Sequence, residues 1–399
     1  MTQLAERATY RQALASPVFR TVFWTRSLAV GADTLRTMAL SVLVFTSTGS
    51  ALLGAMTFAV SFLPQVVGGV LVGALPDLVR PKILLVGGYL AEAAGATVLA
   101  LAGLPVWASL VLVAGIACLA PVFNGTAGRL TAESLRGDTF VLGRSLFQLA
   151  SSVAQLLGLA GGALAVAAAG AEHALLITAG AHLVAALGAG VFLPNLPAPG
   201  RVGERALVRR SWNGNRELLA DPVVRRILLA MWLPPAFATG AESLLVPYAL
   251  TRGFGESTPG LLLGCVTVGM FVGNLVMARL VSPANRERLV PVLVAACGAS
   301  LVPFAFGVGV VAAGLLLAVT GFGFAYALGL QQRFVDAVPA ERNGQAFGLM
   351  STGLMTLQGV GPAVFGLLTE AVPVGVSMGL GGLAAVGVAV WIGGQTRRR

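Results

Sequence analysis

Apolar runs long enough to cross a bilayer as a helix, about 20 residues each, recur along the whole chain and leave little room for anything else. Twelve can be delimited: residues 19–45, 52–75, 83–104, 107–129, 139–168, 173–193, 223–249, 259–280, 289–308, 310–333, 344–369 and 373–394. The composition agrees: 56% of the 399 residues are hydrophobic and 11% charged, whereas a soluble domain carries about 25% charged residues. In water such a chain would expose far too much apolar surface. In hydrocarbon every backbone N–H and C=O must be bonded within the protein. The expected fold is therefore an all-α membrane protein of twelve transmembrane helices.

The basic residues test that count, because short cytoplasmic loops collect Lys and Arg. With both termini cytoplasmic, all but three of the 26 basic residues fall on the inner side or at the helix ends beside it. The exceptions are Arg252 in an outer loop and Arg26 and Arg36 inside the first span. One helix more or fewer would scramble the alternation. It also explains the net charge of +10 without any nucleic-acid partner. The chain is expected in the cytoplasmic membrane, as a monomer surrounded by lipid.

One connection is longer than the rest. Residues 194–222, rich in Pro, Gly and Arg, divide a six-helix half (1–193) from a second (223–399). The halves resemble each other weakly. Ala15-Ser16-Pro17-Val18-Phe19-Arg20 enters the first span and Ala220-Asp221-Pro222-Val223-Val224-Arg225 the seventh. Leu52-Leu53-Gly54 opens the second and Leu262-Leu263-Gly264 the eighth. Two matches in order favour a duplication, and paired six-helix repeats are a transporter plan with the substrate site near the midplane.

Other chemistries find little support. Cys118, Cys265 and Cys297 sit in apolar runs without metal-site spacing, as small buried hydrophobes do. His173 and His182 are isolated. No metal or cofactor is expected, no nucleophile–base pair suggests an enzyme, and the phosphate-binding Gly-x-x-x-x-Gly-Lys-Ser/Thr loop does not occur. The polar first 18 residues, followed by too long an apolar run, argue against a cleaved signal peptide.

Several segments resemble the major facilitator superfamily, and within it the drug:proton antiporter branch that includes macrolide-efflux-type proteins. They are Gly31-Ala32-Asp33, the Thr48-Gly49-Ser50 turn, the loop Gly73-Ala74-Leu75-Pro76-Asp77-Leu78-Val79-Arg80-Pro81-Lys82, the fifth span, and Val338-Pro339-Ala340-Glu341-Arg342-Asn343-Gly344 with Leu357-Gln358-Gly359-Val360-Gly361-Pro362. In the loop, Gly73, Asp77 and Lys82 fit the family pattern Gly-x-x-x-Asp-Arg/Lys-x-Gly-Arg/Lys-Arg/Lys, whereas Leu78, Arg80 and Pro81 depart from it. The resemblance implies a conformational latch there. Asp77 would cap the third helix or pair with Arg129 or Arg342, and Gly73 would allow close helix approach. Gly158-Leu159-Ala160-Gly161-Gly162 resembles the antiporter Gly-Pro-x-x-Gly-Gly element without its proline, and Gly361, Pro362 and Gly366 form its counterpart in the eleventh span.

Ionisable residues at bilayer depth are costly and are functional candidates by default. Asp33, Arg36, Glu92 and Glu242 lie near mid-span, with Arg26 nearer the cytoplasmic end. Helical spacing puts Arg26, Asp33 and Arg36 on one face of the first helix. Glu242 has no basic residue within five positions, which makes it the first candidate for loading and releasing a proton; Asp33 and Glu92 follow. The resemblance places the first, fourth, seventh and tenth helices around the cavity, so Arg26, Asp33, Arg36 and Glu242 would line it. Gln148 and Gln155, seven apart, and Gln358 either line it too or join helices. The expectation is secondary active transport, with protons driving efflux of small hydrophobic or amphipathic molecules by alternating access. Import or facilitated passage of a polar solute, or a regulator that no longer transports, are the alternatives.

Overall fold

The computed structural model describes residues 8–48, 60, 63–198, 207–254 and 258–396. Helices make up nearly all of the described chain, and no strand occurs among the described residues. Nine helical segments among them are long and apolar enough to cross a membrane. The spans expected at 139–168 and 344–369 are also single helices, of 33 and 26 residues. Much of the expected second span, and the turn Thr48-Gly49-Ser50 beyond Thr48, lie outside the described residues.

The chain forms two compact units. The first comprises residues 8–221 and 338–352. It begins with α1 (Tyr10–Ala15), capped by Thr9, whose hydroxyl accepts the Gln12 N–H. Then come α2 (Pro17–Thr48), α3 (Pro64–Val72), α4 (Leu75–Leu78), α5 (Pro81–Leu101), α6 (Val106–Ala117), α7 (Ala120–Ser134), α8 (Gly137–Ala169), α9 (Ala171–Phe192) and α10 (Leu207–Ala220). Helix α9 packs against both α5 and α2, and α2 against α8. Prolines at the starts of α2, α3, α5 and α7 suit first-turn positions, where their missing N–H has no partner to lose. The expected fourth span is interrupted at Cys118–Leu119, between α6 and α7.

The second unit comprises residues 222–337 and 353–399. Its helices are α11 (Pro222–Glu242), α12 (Leu245–Thr251), α13 (Thr258–Arg279), α14 (Pro283–Ala299), α15 (Val310–Gly323), α16 (Tyr326–Ala337), the later part of α17 (Asn343–Leu368) and α18 (Val374–Thr396). The first ten residues of α17 belong to the first unit. The expected tenth span is interrupted at Phe324–Ala325, as the fourth is in the other half. The spans at 289–308 and 310–333, almost contiguous in sequence, are separated by a turn at Gly307, whose φ of 76° is left-handed and suits glycine. The Gly307 carbonyl accepts from Arg252 at 2.9 Å and the Val308 carbonyl from the Tyr248 hydroxyl at 3.0 Å.

Helix α11 carries Pro234 and Pro235 in its interior. A proline removes the N–H that would bond the carbonyl four residues back. For Pro235 that carbonyl is Met231, and the buried Tyr326 hydroxyl on α16 donates to it at 3.0 Å. The defect in one helix is thus repaired by its neighbour, as hydrocarbon requires.

Candidate functional site

The loop 73–82 meets the start of α17 in the first unit. Asp77 is buried, and its carboxylate accepts the backbone N–H groups of Gly344 at 2.9 Å and Gln345 at 2.7 Å. These donors belong to the first turn of α17, where N–H groups lack intrahelical partners. Asp77 therefore caps the eleventh helix rather than the third, whose N-terminal residue Arg80 makes no side-chain cap. A Cβ on Gly344 would collide with the Asp77 carboxylate, so the contact needs glycine there. Burial pushes the Asp77 carboxyl up to about 6, against the opposing pull of the two N–H donors and Arg129.

Arg129 and Arg342 are both close by, but neither bonds Asp77 directly. Arg129 donates to the Pro76 carbonyl and, at 2.7 Å, to Glu133. Arg342 pairs with Glu217 of α10. Lys82 and Arg80 lie outside these contacts, and Gly73 packs on its own helix: a Cβ there would meet the Gly69 carbonyl. The close approach to a neighbouring helix falls at Gly68, against the Cys118 carbonyl. Helix α10 completes the cluster. The Ser211 hydroxyl accepts the Ala74 N–H, Asn215 donates to the Gly69 carbonyl, and Gln345 donates to the Ser211 carbonyl and to Asn215 Oδ1. Beside it is a pocket of about 400 Å³ bordered by Asp77, Arg209, Arg210, Glu217, Arg342 and Gln345.

Deeper in the first unit, three helices bring together four ionisable groups. Arg36 of α2 bonds the Glu92 carboxylate of α5 and lies 3.3 Å from Asp33. His182 of α9 places Nε2 3.4 Å from Asp33 Oδ1. Arg36, Glu92 and His182 are 6%, 8% and 0% exposed, so charge here must be balanced inside the protein. The sequence joins Asp33 with Arg36; Glu92 and His182 enter only through tertiary packing. Asp33, Glu92 and His182 offer ligand-type atoms within 4.8 Å of one another, but the Arg36 guanidinium, hydrogen-bonded to Glu92 and paired with Asp33, already supplies the cation. Arg26, on the same helix face, donates to Asn124 Oδ1 at 2.7 Å, and Asn124 Nδ2 donates to Ser351 at 2.8 Å. Spacing gave no signal for that relay.

Glu242, in the second unit, ends α11. Its Oε1 is buried without a hydrogen-bond partner among the described residues. It adjoins an apolar cluster that includes Ala238, Ala241, Leu245 and Cys297. Gln148 and Gln155 are exposed on α8, and Gln358 is half-buried on α17. Of the glycine elements, Gly158 abuts the Gly31 carbonyl of α2, Gly162 packs on Leu35 and Met38, and Gly361 abuts the Ala236 carbonyl of α11. Gly161 and Gly366 face open space, so the helix contacts use only part of each motif. Pro362 lies within α17.

The fold is that of a polytopic membrane protein with ionisable groups buried among its helices. Residues 22–362 match the family described as the Major Facilitator Superfamily; the chain belongs to that superfamily and is a multi-pass membrane protein. It is similar in structure to the human organic anion transporter MFSD10 (TETRAN), with a TM-score of 0.76 and 18% identity over 94% of this chain and 99% of that one. It also resembles a bacterial homologue of the iron transporter ferroportin in its outward-facing state, with a TM-score of 0.74 and 16% identity over 94% and 99% of the two chains. The E. coli fucose:proton symporter FucP gives 0.66 and 17% over 96% and 99%. No curated protein matches the sequence.

Proposed function

We propose that the chain is a secondary active exporter in which protons drive small hydrophobic or amphipathic molecules outward by alternating access. The observation that carries the reading is Glu242, a carboxyl buried in a membrane-spanning helix with no donor on its Oε1 among the described residues. Such a group is expensive to keep and serves no packing role that Ala or Leu would not serve better. A lone carboxyl can cross between aqueous sides as a neutral acid, taking a proton on one side and giving it up on the other. Asp33, Arg36 and Glu92 stand as the first unit's candidates for substrate contact or coupling, with Arg26, Gln148, Gln155 and Gln358 as further lining groups. Asp77 at the start of α17 supports the latch reading: contacts that hold the loop 73–82 to this helix would stabilise one state of the cycle. Both termini are assigned to the cytoplasm.

An efflux and susceptibility screen in a pump-deficient host, with and without a protonophore, tests the reading. Extrusion that the protonophore abolishes is expected. Extrusion indifferent to it points to a facilitator, and accumulation instead of extrusion to an importer on the same fold.

A further inference from the structure

The helix joining the two sequence halves, α10, presents four distinct strips, of which the motifs above use only two. At about 100° per residue, Ser211, Gly214 and Leu218 share the side that packs on the first unit, and all three are buried. Arg210, Asn213 and Glu217 turn toward the pocket that Arg342 and Gln345 also border, and Arg209 stands at its edge, between the pocket and the outer side of the helix. Between these lies an apolar strip of Val208, Trp212 and Leu219, flanked on one side by Arg209 and Arg216. Val208 is 51% and Trp212 56% exposed, and both arginines are exposed.

In a soluble protein the exposed Val208 and Trp212 would face water among the described residues. Here the helix is fastened by Ser211 and Asn215 to Ala74 and Gly69, at the end of the second membrane span, so its surroundings include the bilayer surface. An exposed tryptophan beside an aliphatic residue, bordered by arginines, suits the headgroup region, where an indole sits at the interface and an amphipathic helix lies in the plane. Trp212 carries the apolar contact and Arg209 and Arg216 the charge.

We propose that α10 is a lipid-docking helix that binds anionic phospholipid headgroups on its side of the membrane through Arg209 and Arg216, with Val208 and Trp212 inserted at the acyl boundary. Because the same helix bonds Gln345, which follows the Asp77-capped turn of α17, lipid charge is read next to the latch. The assignment does not depend on the coupling ion or on the direction of transport.

The test uses the full chain in vesicles of phosphatidylcholine alone or mixed with phosphatidylglycerol. Subtracting the emission of the Trp212→Phe variant from that of the wild type isolates Trp212. Expected is quenching by phosphatidylglycerol brominated high on the acyl chains, in preference to equally brominated phosphatidylcholine. Each arginine near an anionic surface should contribute roughly fivefold to that preference, so the Arg209→Gln/Arg216→Gln variant should lose most of it while keeping the wild-type elution profile and melting temperature. Inorganic phosphate should not compete. Trp212 emission quenched by aqueous iodide but not by either brominated lipid would overturn the proposal. So would a preference for phosphatidylglycerol unchanged in the double variant, or competition by inorganic phosphate. Should the double variant misfold, the wild-type comparison of the two brominated lipids still decides.

Discussion

Asp77 accepts the Gln345 N–H at 2.7 Å across 268 residues of sequence, so the loop after the second span holds the first turn of the eleventh helix. An asparagine at 77 would offer one acceptor oxygen for two N–H donors and point an NH₂ group at the other. Asp77→Asn should therefore keep its expression level and slow transport several-fold, because the first turn of α17 is held by one acceptor instead of two. Flux at the wild-type value would reduce the contact to an incidental one.

The same carboxyl gives the latch a pH dependence. It titrates at about 6 in this arrangement, against an ordinary value of 3.8, because burial disfavours its charge. The arrangement binds a proton more tightly than an exposed Asp77 would, so it gains stability as pH falls from 7 toward 4. It loses that stability as pH rises through about 6. Melting curves between pH 4.5 and 7.5 should show this slope in the wild type and less of it in Asp77→Asn. Identical slopes would count against it.

A second repair can be measured by a double-mutant cycle. Tyr326→Phe removes the donor that serves the Met231 carbonyl and should cost about 1–2 kcal/mol. In a Pro235→Ala background, residue 235 regains its own N–H, and the same substitution should cost clearly less. Equal costs in both backgrounds would show that the hydroxyl does not substitute for the proline's missing donor.

In the buried cluster, Arg36→Met would leave the Asp33 and Glu92 carboxylates without their cation. A loss on the order of 3–5 kcal/mol, or failure to accumulate, is expected from breaking such a network. Glu92→Gln, which leaves Arg36 its contact with Asp33, should be milder. The ranking can be read from detergent melting curves, and the reverse order would contradict the geometry.

The fold was legible because hydrocarbon permits so few solutions. Run length marks the helices, and short connections leave little freedom to their order. The interruption at Phe324–Ala325 was not legible, since it lies within continuous apolar sequence, and the one at Cys118–Leu119 is marked only by Pro121 in the first turn of α7. The site was legible only within single helices: Asp33 and Arg36, one turn apart, could be paired from spacing. Glu92 and His182 reach them from α5 and α9, and no periodicity within one helix reports such a meeting. Asp77 stands out in the loop pattern, but its bonds to the Gly344 and Gln345 N–H groups do not, because a carboxylate before one helix can as readily cap another that packs beside it. Arg342, expected there, is held instead by Glu217 of a linker helix that apolar-run analysis passes over.

The central claim is that Glu242 carries the coupling proton. The most direct measurement is substrate movement in proteoliposomes bearing the Glu242→Gln variant, with and without an imposed pH gradient. The account predicts that substrate exchange persists at a rate near that of the wild type while gradient-driven accumulation is lost. Accumulation that still follows the pH gradient in the variant would contradict it and move the assignment to Glu92.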